Sequence, residues 1–168
     1  GTPVVRTDAA ALWATGKTWW QIPPISRIKL TGKLKNGVTG KDVIITLCGV
    51  YNQDEVLNHV LEFVGDGVKH LTIDERLTIA NMTTEWGALA GVFPIDDMTI
   101  NWLKNRSKLV AKRGLENVPS DIDSINGIHP RINEKNINML IEENLKADED
   151  AFYFQNIVLD LSTVSPHI

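Results

Sequence analysis

One cysteine, Cys48, stands in 168 residues. A single thiol closes no internal disulfide, and it cannot by itself hold a metal cluster that needs several thiolates. Its neighbours Ile44, Ile45 and Leu47 are apolar, so Cys48 reads as a small buried hydrophobe. No apolar run reaches the ~20 residues that a membrane helix needs, so no membrane partner is expected. Basic excess is also absent: 17 Lys and Arg against 21 Asp and Glu leave a net charge of −4, with no basic stripe for nucleic acid. The histidines, His59, His70, His129 and His167, are too far apart for zinc-ligand spacing. His59 lies in an apolar run and reads as a core histidine, while His70 and His129 read as loop residues. Gly37-Val38-Thr39-Gly40-Lys41-Asp42 lacks the glycine five positions before Gly40 and the Ser or Thr after Lys41 that a phosphate loop requires.

What remains is an ordinary globular composition, 43% hydrophobic and 23% charged, long enough for one domain or two small ones. The chain opens Gly1-Thr2-Pro3, with neither an initiator Met nor a leader, and closes Ser165-Pro166-His167-Ile168. It reads as an internal piece of a longer protein. Trp13, Trp19 and Trp20 crowd the first part of the chain. Without basic neighbours in number, packing in a core or at a domain interface is the better reading than base stacking.

Periodicity supplies the elements. Residues 25–34 alternate as a strand does, and Asn36-Gly37 marks a tight turn. Thr39 with Asp42 three residues on can cap a helix running through Val43, Ile44 and Leu47. A second helix is expected near Asp54, and a buried strand over 59–64. Thr72-Ile73-Asp74-Glu75 is a capping box, and Ile79, Met82, Trp86 and Leu89 follow at spacings of three and four. The spacing predicts one helix over 74–89 with Met82 and Trp86 buried. Val92-Phe93-Pro94 reads as a short strand, 96–113 as an amphipathic helix with Met98, Trp102, Leu109 and Val110 inward, and 114–130 as a loop or insertion. A helix over 134–145 and a strand over 152–161 close the chain. Strands alternating with helices imply a layered α/β domain with a largely parallel sheet.

Asn81 and Glu85 are the pair of interest. Four residues apart on a helix, they share a face that borders the apolar stripe, about 100° from Met82. An amide and a carboxylate there could reach into a polar cleft. A solvated helix edge is the simpler alternative, and the pattern alone favours it.

The run from Leu77 to Ala88, Leu-Thr-Ile-Ala-Asn-Met-Thr-Thr-Glu-Trp-Gly-Ala, resembles the Asn-Met-x-x-Glu-x-Gly-Ala helix of the aconitase superfamily. Lys29-Leu30-Thr31-Gly32, Lys41-Asp42-Val43-Ile44, Glu62-Phe63-Val64-Gly65, Val92-Phe93-Pro94 and the stretch from Asp160 to Ile168 look like successive pieces of the same pattern. The likeness covers nearly the whole chain, least at 114–130. Within the superfamily, Gly1 to Asp8 and Trp13 to Trp20 look most like the fungal homoaconitase branch. Aconitase and isopropylmalate isomerase differ more there.

This resemblance implies a fragment of a multidomain hydro-lyase of lysine biosynthesis, moving water on a small tricarboxylic acid of the homoaconitate type. It implies one 4Fe-4S cluster in the full-length enzyme, held by three cysteines. With Cys48 alone, no cluster or cofactor and no activity are expected of this segment by itself. Glu85 matches the family glutamate that pairs with a catalytic histidine, and Asn81 the asparagine lining the same pocket. Both are active-site positions only by resemblance, and their partners belong to the remaining domains of the parent chain. The implied division is an aconitase-type domain over 1–113, a loop or insertion over 114–130 and the start of the next domain over 131–168. A mitochondrial matrix location is likewise implied. A non-catalytic remnant of such a protein, used for binding or structure, is the competing reading of another class.

Overall fold

The computed structural model describes residues 4–113, 129 and 131–167. The elements are α1 (Arg6–Thr15), β1 (Ile25–Thr31), α2 (Gly40–Val50), β2 (Val60–Val64), α3 (Ile73–Asn81), β3 (Ala90–Val92), α4 (Asp97–Arg113), α5 (Glu134–Glu143) and β4 (Gln155–Asp160). Short 3-10 turns follow β2, α3 and β4. The four strands form one parallel sheet in the order β3-β2-β1-β4, in agreement with the α/β expectation. The loop expectation for 114–130 lies almost entirely outside the described residues.

The chain divides into two compact units, Gly1–Phe93 with Asp150–Ile168, and Pro94–Glu149. The sequence division set 131–168 at the start of a following domain. Here residues 150–168 group with the first unit because β4 is hydrogen-bonded to β1 from Ser26↔Gln155 through Thr31↔Asp160. The second unit holds α4 and α5. Of the residues expected inside α4, Trp102 and Val110 are half-buried whereas Met98 and Leu109 are exposed.

Parallel strands are ordinarily apolar on both faces. These strands alternate instead. Ser26, Ile28 and Leu30 of β1 are buried beside Leu61 and Phe63 of β2 and Ile157 of β4, while Arg27, Lys29 and Asn156 are exposed on the opposite face. The buried face carries the core, completed by Val43, Ile44 and Leu47 of α2, Ile79 of α3, and Val56, Val68, Leu71 and Trp86. Phe63 stacks on Phe93 with ring centres 4.5 Å apart. Each such buried aliphatic or aromatic side chain contributes about 1.5–3 kcal/mol relative to exposure.

Both capping boxes form. Asp42 accepts the Thr39 N–H at 2.7 Å, and Glu75 accepts the Thr72 N–H at 2.7 Å. Gly65 stands at φ +102°, and a side chain there would run into the Leu30 carbonyl, so only glycine permits the close approach of β2's exit to β1. Buried Arg76 donates to the carbonyls of Leu71 at 3.1 Å and Val68 at 2.9 Å, holding the turn after β2 against α3.

Two expectations fail locally. No helix starts near Asp54: residues 51–59 are turns, and Asp54 and Asn58 each sit at φ +59°, a left-handed conformation that stops helix propagation. The helix expected over 74–89 is α-helical only to Asn81 and continues as a 3-10 helix from Met82 to Trp86. The Trp86 indole donates to the Tyr51 carbonyl at 2.6 Å, and Gly87 ends the segment at φ +80°. Trp86 is buried as expected, whereas Met82 is only half-buried.

Candidate functional site

The change of winding decides where the candidate pair points. A 3-10 helix has about three residues per turn, so residues three apart fall in line. Thr83 and Trp86 accordingly share the buried side. Asn81 closes α3 and Glu85 lies within the tighter turn, and both side chains are exposed. Neither side chain hydrogen-bonds to another described residue. Asn81 and Glu85 therefore lie on no single α-helical face; each faces outward from a turn fixed underneath by Thr83, whose hydroxyl donates to the Ala80 carbonyl at 2.9 Å.

This turn lies beyond the amino ends of β2 and β3. The Asn58 N–H, two residues before β2, donates to the Gly87 carbonyl at 2.8 Å, and the Leu89 N–H donates to the His59 carbonyl at 2.8 Å. The last turns of α2 reach the same edge. Cys48 is half-buried there, and burial first, then the Glu85 carboxylate nearby, push its thiol pKa up. A protonated thiol is a poor metal ligand and a poor nucleophile. Among the described residues no group of three or more His, Cys, Asp or Glu side chains is placed to hold a metal ion. Cys48, the one cysteine of the chain, therefore stands without companion ligands among the described residues.

The histidines separate by environment. His59 is buried, its Nδ1 2.7 Å from the Ser26 hydroxyl and its ring edge-on to Phe154 at 5.1 Å. Burial lowers its pKa, so it is a neutral core histidine. Nδ1 of His129 accepts the N–H groups of Arg131 at 3.1 Å and Ile132 at 3.0 Å, a local turn. His70 ends the turn after β2.

Two arrangements escaped sequence reasoning. On the exposed sheet face Arg27 donates to Asn156 at 2.7 Å and lies over the Tyr153 ring at 4.6 Å, while the Tyr153 hydroxyl donates to Glu62. At the carboxyl edge of the sheet Asp42 accepts the main-chain N–H of His167 at 2.8 Å. The partners are separated by 91 to 129 residues, a distance at which a single sequence gives no pairing signal. The Trp-rich segment 18–24, with Leu12 and Asp8 of α1, lines a cleft of about 760 Å³ that Asn58 and Leu89 close on the other side. Trp13 and Trp19 are exposed, not core residues.

Comparison with known proteins gives one consistent result. The aconitase family (aconitate hydratase) matches over residues 1–168. The mitochondrial homoaconitases of Candida glabrata and Candida parapsilosis are each 55% identical to the chain, and that of Yarrowia lipolytica is 54% identical. In each case all of this chain is covered, but only 22% of the relative. The chain thus spans about a fifth of the length of the curated relatives it matches.

Proposed function

We propose that this chain, which belongs to the aconitase family, is a segment of a hydro-lyase of the homoaconitase type. The observation that carries the proposal is the whole-chain identity of 50–55% to proteins named as mitochondrial homoaconitases. The parent enzyme would remove and re-add water on a small tricarboxylic acid in lysine biosynthesis, in the mitochondrion. The 4Fe-4S cluster implied by the family would be supplied by parts of the parent outside this chain, since Cys48 offers only one, half-buried thiol.

This chain's own contribution would be the outward-facing pair on the turn after α3. The Glu85 carboxylate would orient an imidazole brought by another part of the parent and favour its protonated form. The Asn81 amide would donate a hydrogen bond into the same pocket. Exposure of both side chains, without hydrogen-bond partners among the described residues, leaves them available for that role. The two side chains share no α-helical face, because α3 ends at Asn81.

Glu85→Gln in the full-length enzyme tests the assignment, because it keeps shape and removes charge. Hydratase kcat should fall tenfold or more while Tm stays within about a degree of wild type. The same change in this chain alone should leave denaturant stability unchanged, since an exposed carboxylate is removed. Unaltered kcat in the full-length Glu85→Gln enzyme would return Glu85 to an ordinary surface carboxylate.

A further inference from the structure

At the carboxyl edge of the sheet Asp42 joins α2 to the chain leaving β4. Asp42 is the third residue of α2 and is 6% exposed. Its Oδ2 accepts the Thr39 N–H at 2.7 Å and the Thr39 hydroxyl at 2.8 Å, the ordinary work of a capping box. Its Oδ1 faces away from the cap and accepts the His167 N–H at 2.8 Å. The His167 ring adds a second contact to the same helix, with Nε2 3.0 Å from the Thr46 hydroxyl. The intervening chain is ordered by its own bonds. Asp160 accepts the Ser162 N–H at 2.9 Å, and the Thr163 hydroxyl donates to the Asp160 carbonyl at 2.7 Å. The polypeptide leaving β4 is therefore tied at both ends of a short path, on β4 and on α2.

We propose that Asp42 is a positioning residue: by holding the His167 N–H it fixes the course of the chain from β4 onward, and with it the placement of the parent's following segment. This rests on the hydro-lyase reading for its consequence, but not for its geometry. Only a carboxylate serves both ends at once. It offers two acceptor oxygens in one plane, whereas Asn would replace one of them by a donor facing another donor. The two N–H groups, His167 first and then Thr39, hold the Asp42 carboxyl below its ordinary range against the opposing effect of burial, so it is charged throughout the neutral range.

The test uses the full-length enzyme and three variants, read by amide hydrogen exchange at 161–167 and by hydratase kcat/KM. Asp42→Ala removes cap and tie together. His167→Pro removes both the donated N–H and the ring contact to Thr46 and leaves the α2 cap intact, so it serves if Asp42→Ala fails to fold. Thr39→Val weakens the cap and leaves the tie. We expect Asp42→Ala and His167→Pro to speed exchange at 162–165 at least tenfold and to lower kcat/KM at least tenfold, with Thr39→Val within twofold of wild type on both. Unchanged exchange in His167→Pro would overturn the tie. Faster exchange with unchanged kcat/KM would overturn the positioning role while leaving the hydro-lyase reading intact. A wild-type parent without hydratase activity would remove that reading, and the exchange comparison would then decide on the tie alone.

Discussion

Helices α1 and α2 are nearly the same length, 10 and 11 residues, and both carry at their third position an aspartate that accepts a main-chain N–H three residues back. There the likeness ends. Helix α2 buries Gly40, Asp42, Val43, Ile44 and Leu47, while α1 buries nothing. The Asp8 contact is long at 3.4 Å and the Asp42 contact short at 2.7 Å. Local chemistry shapes a helix in either setting, but an isolated helix of this length is marginal in water, and tertiary packing supplies most of the stability. Apolar content alone does not separate the two regions: the segment around α1 carries Trp13, Trp19 and Ile22, all at least 85% exposed.

The sharpest way to break the comparison is to remove a large aromatic from each region. Trp86→Ala should cost about 3–5 kcal/mol in denaturant unfolding, the range for large aromatics lost from a core. Trp13→Ala should cost less than about 0.5 kcal/mol, as exposed substitutions do. Equal losses would mean that α1 is packed after all.

Acid should separate the regions next, with a smaller effect. His59 is buried neutral and its folded pKa lies below the ordinary 6.5. Below pH 6.5 the unfolded chain takes up a proton that the folded chain resists, so stability should fall as pH drops from there toward the folded value. Asp42 has a folded pKa below 3.8, so its contribution is complete above 3.8 and is lost as pH falls through the folded value. Urea midpoints measured from pH 7 to pH 3 should thus decline in two stages. His59→Gln should remove the upper stage and leave the lower. A flat profile above pH 5 would contradict the assignment of His59 as a neutral core group.

The smallest effect concerns the two caps themselves. Asp8→Asn removes a charge from the first turn of an exposed helix and should change stability by no more than a few tenths of a kcal/mol. A loss above about 1 kcal/mol would show α1 to be coupled to the core.

Much of the fold was legible because its signals are local. The alternation of β1, the Asn36-Gly37 turn and the boxes at Thr39 and Thr72 each lie within a few residues, and each forms. The break at Asn81 was not legible, since Met82 and Trp86 at a spacing of four suit an α-helix as well as they suit the observed turn. Within that turn Trp86 is bonded to Tyr51, 35 residues away, a partner that no local spacing reports. The turn at 51–58 hid for a similar reason: Asp54 and Asn58 tolerate a left-handed backbone, but nothing in the composition demands it. Asn81 and Glu85 stood out by resemblance to a family pattern, but their outward direction on a turn rather than on one helix face was not legible. The β4 pairing with β1 joins segments more than a hundred residues apart, which no single-sequence pattern reports.

The indole of Trp86 also has an optical consequence. Of five tryptophans only Trp86 is buried, with its N–H held by a carbonyl, while Trp13, Trp19 and Trp20 stand in water and Trp102 is intermediate. Fluorescence emission from the folded chain is thus a sum dominated by hydrated, quencher-accessible fluorophores. Its maximum should fall near that of an unfolded protein, with one shielded emitter adding intensity on the short-wavelength side. That shielded component follows the integrity of the turn carrying Glu85, and a mean emission wavelength dilutes it among three indoles that are exposed already in the folded chain.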